Sequence, residues 1–88
     1  MAIARLNGEV IAESNDTVVL DGHRYFPAQS VRVDLFRPTS TRDDRPWYSI
    51  CVQGKPTPDV ACYYSGPSVP DPRIADHVLF HDPVQVED

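Results

Sequence analysis

Apolar and polar residues alternate along most of the first 26 residues, and two tight-turn dipeptides interrupt the alternation. Asn7-Gly8 and Asp21-Gly22 favour two-residue hairpin turns, because both central residues of such a turn need a positive φ. The runs on either side of each turn have the period of two that is typical of β-strands. The pattern therefore predicts an antiparallel meander with strands over residues 3–6, 9–13, 17–20 and 23–26.

The middle of the chain contains one further alternating run and one polar run. Residues 31–36 alternate with a period of two, which predicts a half-buried strand. Residues 38–46 are mostly polar and begin and end with proline, so they predict a long loop.

A later hairpin is predicted from two β-rich runs, residues 47–53 and 60–64. If its turn is centred on Pro56-Thr57, Cys51 lies directly opposite Cys62. Directly opposed residues of an antiparallel pair are about 4.5–5.5 Å apart at Cα, which is within disulfide range. In a chain without a secretory signal we expect both cysteines to be reduced thiols that pack as small apolar side chains.

The last part of the chain combines a helix-start signal with two short β-rich runs. Asp71-Pro72 places an N-cap acid before a proline at the first helical position, which predicts one short turn through Ala75. Residues 77–81 and 84–86 predict the final strands.

The proline content decides the fold class. Nine prolines leave no proline-free stretch longer than ten residues after Phe26. A proline inside a helix costs about 3 kcal/mol, so long helices are excluded from this region. Residues 1–88 therefore predict a single all-β domain, mostly antiparallel, with about seven to nine short strands and at most one or two helical turns.

Charge and hydropathy exclude several classes of partner. The net charge is −5 and the arginines are scattered among acids, whereas a nucleic-acid surface needs a basic patch. No apolar run approaches the roughly 20 residues that cross a membrane, and MAIARL is too short for a signal peptide. We therefore expect a cytoplasmic protein that binds neither nucleic acid nor membranes.

Four residues could supply ligands to a tetrahedral metal ion: Cys51, Cys62, His77 and His81. Zinc sites normally contain close Cys-x2–4-Cys pairs, and this chain has no such pair. We therefore expect a fold without a metal or other cofactor.

Two pairs of residues are candidates for ligand binding in the predicted sheets. Glu13 and Ser14 end a strand, where they either perform acid/base chemistry or satisfy the amides of the following turn. Trp47 and Tyr63 belong to the predicted aromatic hairpin and either form core or wall a pocket.

The predicted loop adds two cations, Arg42 and Arg45, on either side of Asp43-Asp44. They are either part of a solvated mixed-charge loop or clamp a phosphate or carboxylate. We expect Glu13, Trp47 and Tyr63 to converge on one concavity, with Arg42 or Arg45 at its rim, that suits a small polar or zwitterionic ligand.

A set of short motifs extends from about Leu6 to Val86: Ala12-Glu13-Ser14, Tyr25-Phe26-Pro27, Val31 through Leu35, Ser40-Thr41, Pro46-Trp47, Ala61-Cys62-Tyr63-Tyr64 and a closing strand over residues 74–86. In these motifs the chain resembles the bacterial family known as domain of unknown function DUF427, which some classifications file under a nucleotidyltransferase heading. The resemblance implies a compact, tent-like β fold shared with small zinc-binding modules, here without the metal. Where the family has Cys-Pro-Trp-Lys-Gly and Ala-Trp-Tyr-Tyr, this chain has Arg45 for the cysteine, Cys62 for the tryptophan and no Lys-Gly.

The chain lacks the common catalytic signatures. It contains no G-x-S-x-G, no Gly-rich phosphate loop and no H-E-x-x-H. Nucleotidyl transfer needs carboxylates that hold magnesium beside a phosphate cradle, and the residues supply neither. We expect first a binding module for a small polar ligand or a protein partner. The alternatives are an enzyme of unassigned chemistry that uses Glu13, Ser14 and an arginine of the loop, or a structural or oligomer-forming domain without a site.

Overall fold

The computed structural model describes residues 1–42, 45–64 and 69–87, and these residues form an all-β domain. Their strands make two antiparallel sheets, with the orders β2-β1-β9 and β3-β4-β8-β7-β6-β5. The predicted fold class is confirmed. The nine strands of the described residues are β1 Ala2–Leu6, β2 Glu9–Ser14, β3 Val18–Leu20, β4 His23–Pro27, β5 Phe36–Arg42, β6 Arg45–Val52, β7 Lys55–Tyr64, β8 His77–Phe80 and β9 Gln85–Glu87.

The helical structure among these residues consists of three single 3-10 turns, at Ala28–Ser30, Val33–Leu35 and Pro72–Ile74. The turn predicted after Asp71-Pro72 is confirmed, because the Asp71 side chain accepts a hydrogen bond from the Arg73 amide at 2.9 Å. Within the described part of the chain, no helix is long and apolar enough to cross a membrane.

The two predicted hairpin turns are present. Asn7 and Gly8 have φ values of 51° and 83°, and Asp21 and Gly22 have values of 52° and 79°. Both pairs thus occupy the left-handed region that two-residue hairpin turns require. Strands β1–β2 and β3–β4 pair directly across these turns.

The predicted turn at Pro56-Thr57 is wrong. Strands β6 and β7 are joined by Gln53 and Gly54, whose φ values are 53° and 78°. Gly54 adopts a positive φ without steric cost, whereas the proline ring holds φ near −65° and keeps Pro56 within the strand.

The pairing of the two cysteines is wrong for the same reason. Cys51 lies opposite Pro56, and Cys62 lies opposite Trp47. A register shift between Tyr48 and Ile50 changes the pairing by two positions in the part of the ladder farther from the turn. Both cysteines are unpaired thiols.

The predicted strand over residues 31–36 is also wrong. Val31 makes a single bridge to Ala12, and the chain then turns at Val33–Leu35 before β5 begins. The Arg32 amide still donates to the Ile11 carbonyl of β2 at 2.9 Å, but the Leu35 amide donates locally, to the Arg32 carbonyl at 3.1 Å. The alternating pattern therefore has no neighbouring strand to complete a ladder.

The predicted loop over residues 38–46 is largely strand. Strand β5 extends to Arg42 and pairs with β6, while Asp43 and Asp44 lie outside the described residues. Strand β5 is the edge of the six-stranded sheet, where Pro38 does not interrupt a ladder on both sides.

The six-stranded sheet has an apolar layer on each face, because successive strand residues point to opposite sides. The layer between the two sheets includes Leu6, Ile11, Phe26, Ile50, Val60, Ala61, Val78 and Phe80. The layer on the other face consists of Tyr25, Cys62, Tyr64, Ile74 and Leu79, with Val18, Leu20, Trp47 and Val69 packed against it.

Candidate functional site

Three of the predicted site residues lie together on this second face. Arg42 and Arg45 are direct partners across β5 and β6, so their side chains project from the same side of the sheet. The guanidinium carbon of Arg42 is 4.1 Å from the centroid of the Trp47 ring, and that of Arg45 is 3.8 Å from the centroid of the Tyr64 ring. We call the surface formed by Arg42, Arg45, Trp47 and Tyr64 the arginine face.

The two arginines form an unfavourable pair in the ladder. Like charges directly opposite each other destabilise an antiparallel pair. Contact with an aromatic ring offsets about 0.5–1 kcal/mol for each guanidinium at an exposed site. Arg42 also has an ion pair with Asp59, at 3.3 Å, and its side chain remains half exposed. The arginine face therefore carries two adjacent cations, and Asp59 offsets part of the charge of Arg42.

A thiol and an imidazole lie beside the arginine face. Cys62 is the strand partner of Trp47, and its Sγ is 3.5 Å from Nε2 of His81. The His81 ring stacks on the Trp47 ring, with centroids 4.6 Å apart and planes inclined by 27°. Trp47 thus contacts both a cation and an imidazole.

Both of these titratable groups are held in their neutral forms. Burial raises the pKa of the Cys62 thiol, although Arg42 and Arg45 act against this rise. Burial lowers the pKa of His81, and electrostatic interactions with His23 and Arg42 lower it further. A nucleophilic cysteine needs a thiolate, commonly paired with an imidazolium. The contact between Cys62 and His81 does not provide such a pair.

Tyr63 lies on the opposite face of the sheet. It follows Cys62, which is the partner of Trp47, so its side chain points away from Trp47. Its hydroxyl donates a hydrogen bond to Oδ1 of Asp76. The predicted convergence of Tyr63 with Trp47 is therefore wrong, whereas a role of either residue in binding stays a prediction.

Glu13 and Ser14 belong to the three-stranded sheet. Glu13 is exposed opposite Ile3, and Ser14 Oγ accepts from the Asp16 amide at 2.9 Å, which satisfies the turn that follows β2. This sheet packs against the face that carries Tyr63, so Glu13 does not converge with Trp47. The predicted single concavity is wrong on this point too.

The chain matches a family model along almost its whole length. That model describes a domain of unknown function, DUF427, and it matches residues 2–88. The chain belongs to the DUF427 family. No curated protein matches it.

Three of the four residues that form the arginine face of this DUF427 domain were predicted from the sequence. These are Arg42, Arg45 and Trp47, whereas Tyr64 and the contact between Cys62 and His81 were missed. Gly54 could have indicated the correct turn, because glycine after a polar residue favours the positive φ values of a hairpin. The register shift after Tyr48 has no comparable signal in the sequence.

Acidification should destabilise this DUF427 domain through His81. Because burial lowers the pKa of His81, the unfolded chain, with a histidine pKa near 6.5, binds the proton first. The free energy of unfolding should therefore fall as the pH drops below about 6.5. Urea unfolding at about pH 7.5 and 5.5 measures the difference, and His81→Gln should reduce it. An equal difference in His81→Gln would contradict this assignment.

Proposed function

We propose that this DUF427 domain binds a small anionic ligand, a phosphate or carboxylate compound, on the arginine face. The observation that carries the proposal is the direct cross-strand pairing of Arg42 and Arg45. An anion that contacts both guanidiniums removes the repulsion between them and adds charge-assisted hydrogen bonds. The repulsion in the unliganded sheet thus becomes a source of affinity.

The aromatic rings support this proposal because they position the cations. A flexible arginine loses side-chain entropy when it binds a ligand. Trp47 and Tyr64 already hold the guanidiniums at 4.1 and 3.8 Å from their ring centroids. Contact with a ring does not use the N–H groups of a guanidinium, although Nη2 of Arg42 already contacts Asp59 at 3.3 Å and a ligand competes with that carboxylate. The ligand therefore meets donors that are partly ordered before binding.

The enzyme alternative has less support from the geometry. An enzyme of this kind would need Glu13 and Ser14 beside Arg42 or Arg45. Glu13 and Ser14 belong to the three-stranded sheet, whereas both arginines belong to the six-stranded sheet. The neutral state of Cys62 also disfavours a cysteine nucleophile. We further propose a cytoplasmic setting, since unpaired thiols such as Cys51 and Cys62 are typical of reducing compartments.

Isothermal titration calorimetry with pyrophosphate and with succinate, in low-salt buffer, tests the proposal. We expect a dissociation constant on the order of 1 mM for one of these probes, which corresponds to about 4 kcal/mol. Added salt should weaken the binding because both arginines are near solvent. Glycerol, which is polar but uncharged, should produce no binding heat. If neither anion binds, or glycerol binds equally, the proposal is wrong.

A further inference from the structure

A cavity with both polar and apolar lining lies on the face of the large sheet that carries Tyr63. Its volume is about 480 Å³, and it lies where the end of β4, strand β7 and the start of β8 meet. This cavity is separate from the arginine face, since Tyr63 and Trp47 point to opposite sides. The residues that line it are Asp16, Pro27, Ala28, Gln29, Tyr63, Asp76 and His77.

Most polar side chains of this cavity are hydrogen-bond acceptors. Tyr63 uses its hydrogen on Asp76, so its oxygen retains lone pairs that accept. Nδ1 of His77 is 2.7 Å from the Ala75 carbonyl oxygen, which only accepts. Nδ1 therefore carries a hydrogen, and with a single proton on the ring Nε2 is an acceptor. With the carboxylates of Asp16 and Asp76, the lining suits a ligand that is rich in donors and positively charged.

The backbone fixes Asp76 from both sides. Its amide donates to the Tyr64 carbonyl at 2.8 Å, and its own carbonyl accepts from the Ala28 amide at 2.8 Å. Its φ of 62° lies in the left-handed region, which asparagine and aspartate tolerate better than most residues. The Asp76 carboxylate is thus presented to the cavity from a well-defined backbone position.

A second, more apolar cavity adjoins the first, because Ala28 and Tyr63 line both. Its volume is about 370 Å³. Val33 lies at its border and is 69% exposed. Covering this apolar side chain would be favourable, because burial removes apolar surface from water. The other residues that line this second cavity are Val31, Phe36, Tyr48 and Val78.

We propose that the two adjoining cavities bind a small primary amine that carries an aromatic or aliphatic group. The ammonium group donates to Asp76, Tyr63 and His77, while Asp16 adds negative charge. The apolar group covers Val33 and Phe36. The net charge of −5 favours the approach of a cation from solution. This site does not depend on the arginine face, and either can exist without the other.

Titration with phenethylammonium, followed by ¹H–¹⁵N nuclear magnetic resonance, tests this proposal. We expect the largest amide shifts at Ala28, Gln29, Tyr63, Asp76 and His77. Phenethyl alcohol has the same apolar group without the charge, and methylammonium has the charge without the apolar group. Each should bind at least about fivefold more weakly, since charged hydrogen bonds and apolar burial both contribute. Equal binding of either analogue, or shifts centred elsewhere, would overturn the proposal.

Asp76→Asn removes the carboxylate charge and keeps a residue type that tolerates positive φ. It should weaken phenethylammonium binding about fivefold or more, because an amide replaces a charged acceptor. Asp21→Asn is the matched control, since Asp21 also has a positive φ, of 52°, and lines neither cavity. Val33→Ser changes only an exposed border residue and should also weaken binding. Unchanged affinity in both Asp76→Asn and Val33→Ser would show that the cavities are not the site.

Discussion

Replacing Arg42 and Arg45 together by glutamine should lower the affinity for pyrophosphate or succinate by about tenfold or more. Each guanidinium contributes charge-assisted hydrogen bonds, for which about 1.5–3 kcal/mol per bond is typical before solvent screening. Arg42 is exposed and Arg45 is partly exposed, so we take the lower part of this range. Calorimetric titration of the variant and the wild type measures the change.

A charge-matched control separates local contacts from net charge. Arg5→Gln with Arg37→Gln also removes two positive charges, at an exposed ion pair with Glu87 and at a side chain that donates to backbone carbonyls. This control should retain nearly the wild-type affinity. Arg42→Lys with Arg45→Lys should be intermediate, because lysine keeps the charge but lacks the planar fork of donors. If the control loses as much affinity as the glutamine variant, net charge determines anion binding, and the proposed contacts with Arg42 and Arg45 are wrong.

Phe26→Ala should destabilise the domain by about 3–5 kcal/mol, through lost burial and the cavity left behind. Phe26 is fully buried between the two sheets, and its ring packs edge-to-face against Phe80 with centroids 5.4 Å apart. Small domains have a total stability of about 5–15 kcal/mol, so this loss is a large fraction of it. Urea unfolding monitored by circular dichroism measures the change.

Val19→Ala provides the comparison for this prediction. Val19 is 55% exposed in the edge strand β3, so its truncation should change the stability by less than about 0.5 kcal/mol. Similar losses for Phe26→Ala and Val19→Ala would contradict the placement of the core between the sheets.

The parts of the fold that sequence predicted are those with local signals. Asn7-Gly8 and Asp21-Gly22 specify their turns through backbone conformation, which depends on few distant contacts. Strand β5 was predicted as a loop, because its residues are polar. They lie at a sheet edge, where neither face needs to be apolar. The run after Val31 was predicted as a strand because it alternates, but it has no neighbouring strand with which to form a ladder.

The candidate site was predictable only in part, because strand register decides which residues share a face. Arg42, Arg45 and Trp47 were named from their chemistry, and the sheet places them together. Tyr63 was assigned to the same surface, but a change of one position along a strand moves a side chain to the other face. The β6–β7 register depends on the Gln53-Gly54 turn and on the shift after Tyr48, and the second of these is a tertiary feature.

The most direct test of anion binding at the arginine face is a pyrophosphate titration followed through the arginine Nε–Hε resonances of ¹⁵N-labelled protein. Binding at the arginine face should shift the resonances of Arg42 and Arg45 together with the indole resonance of Trp47, while the other five arginines change little. Shifts spread evenly over all seven arginines, or the absence of any shift at Arg42 and Arg45, would contradict this prediction.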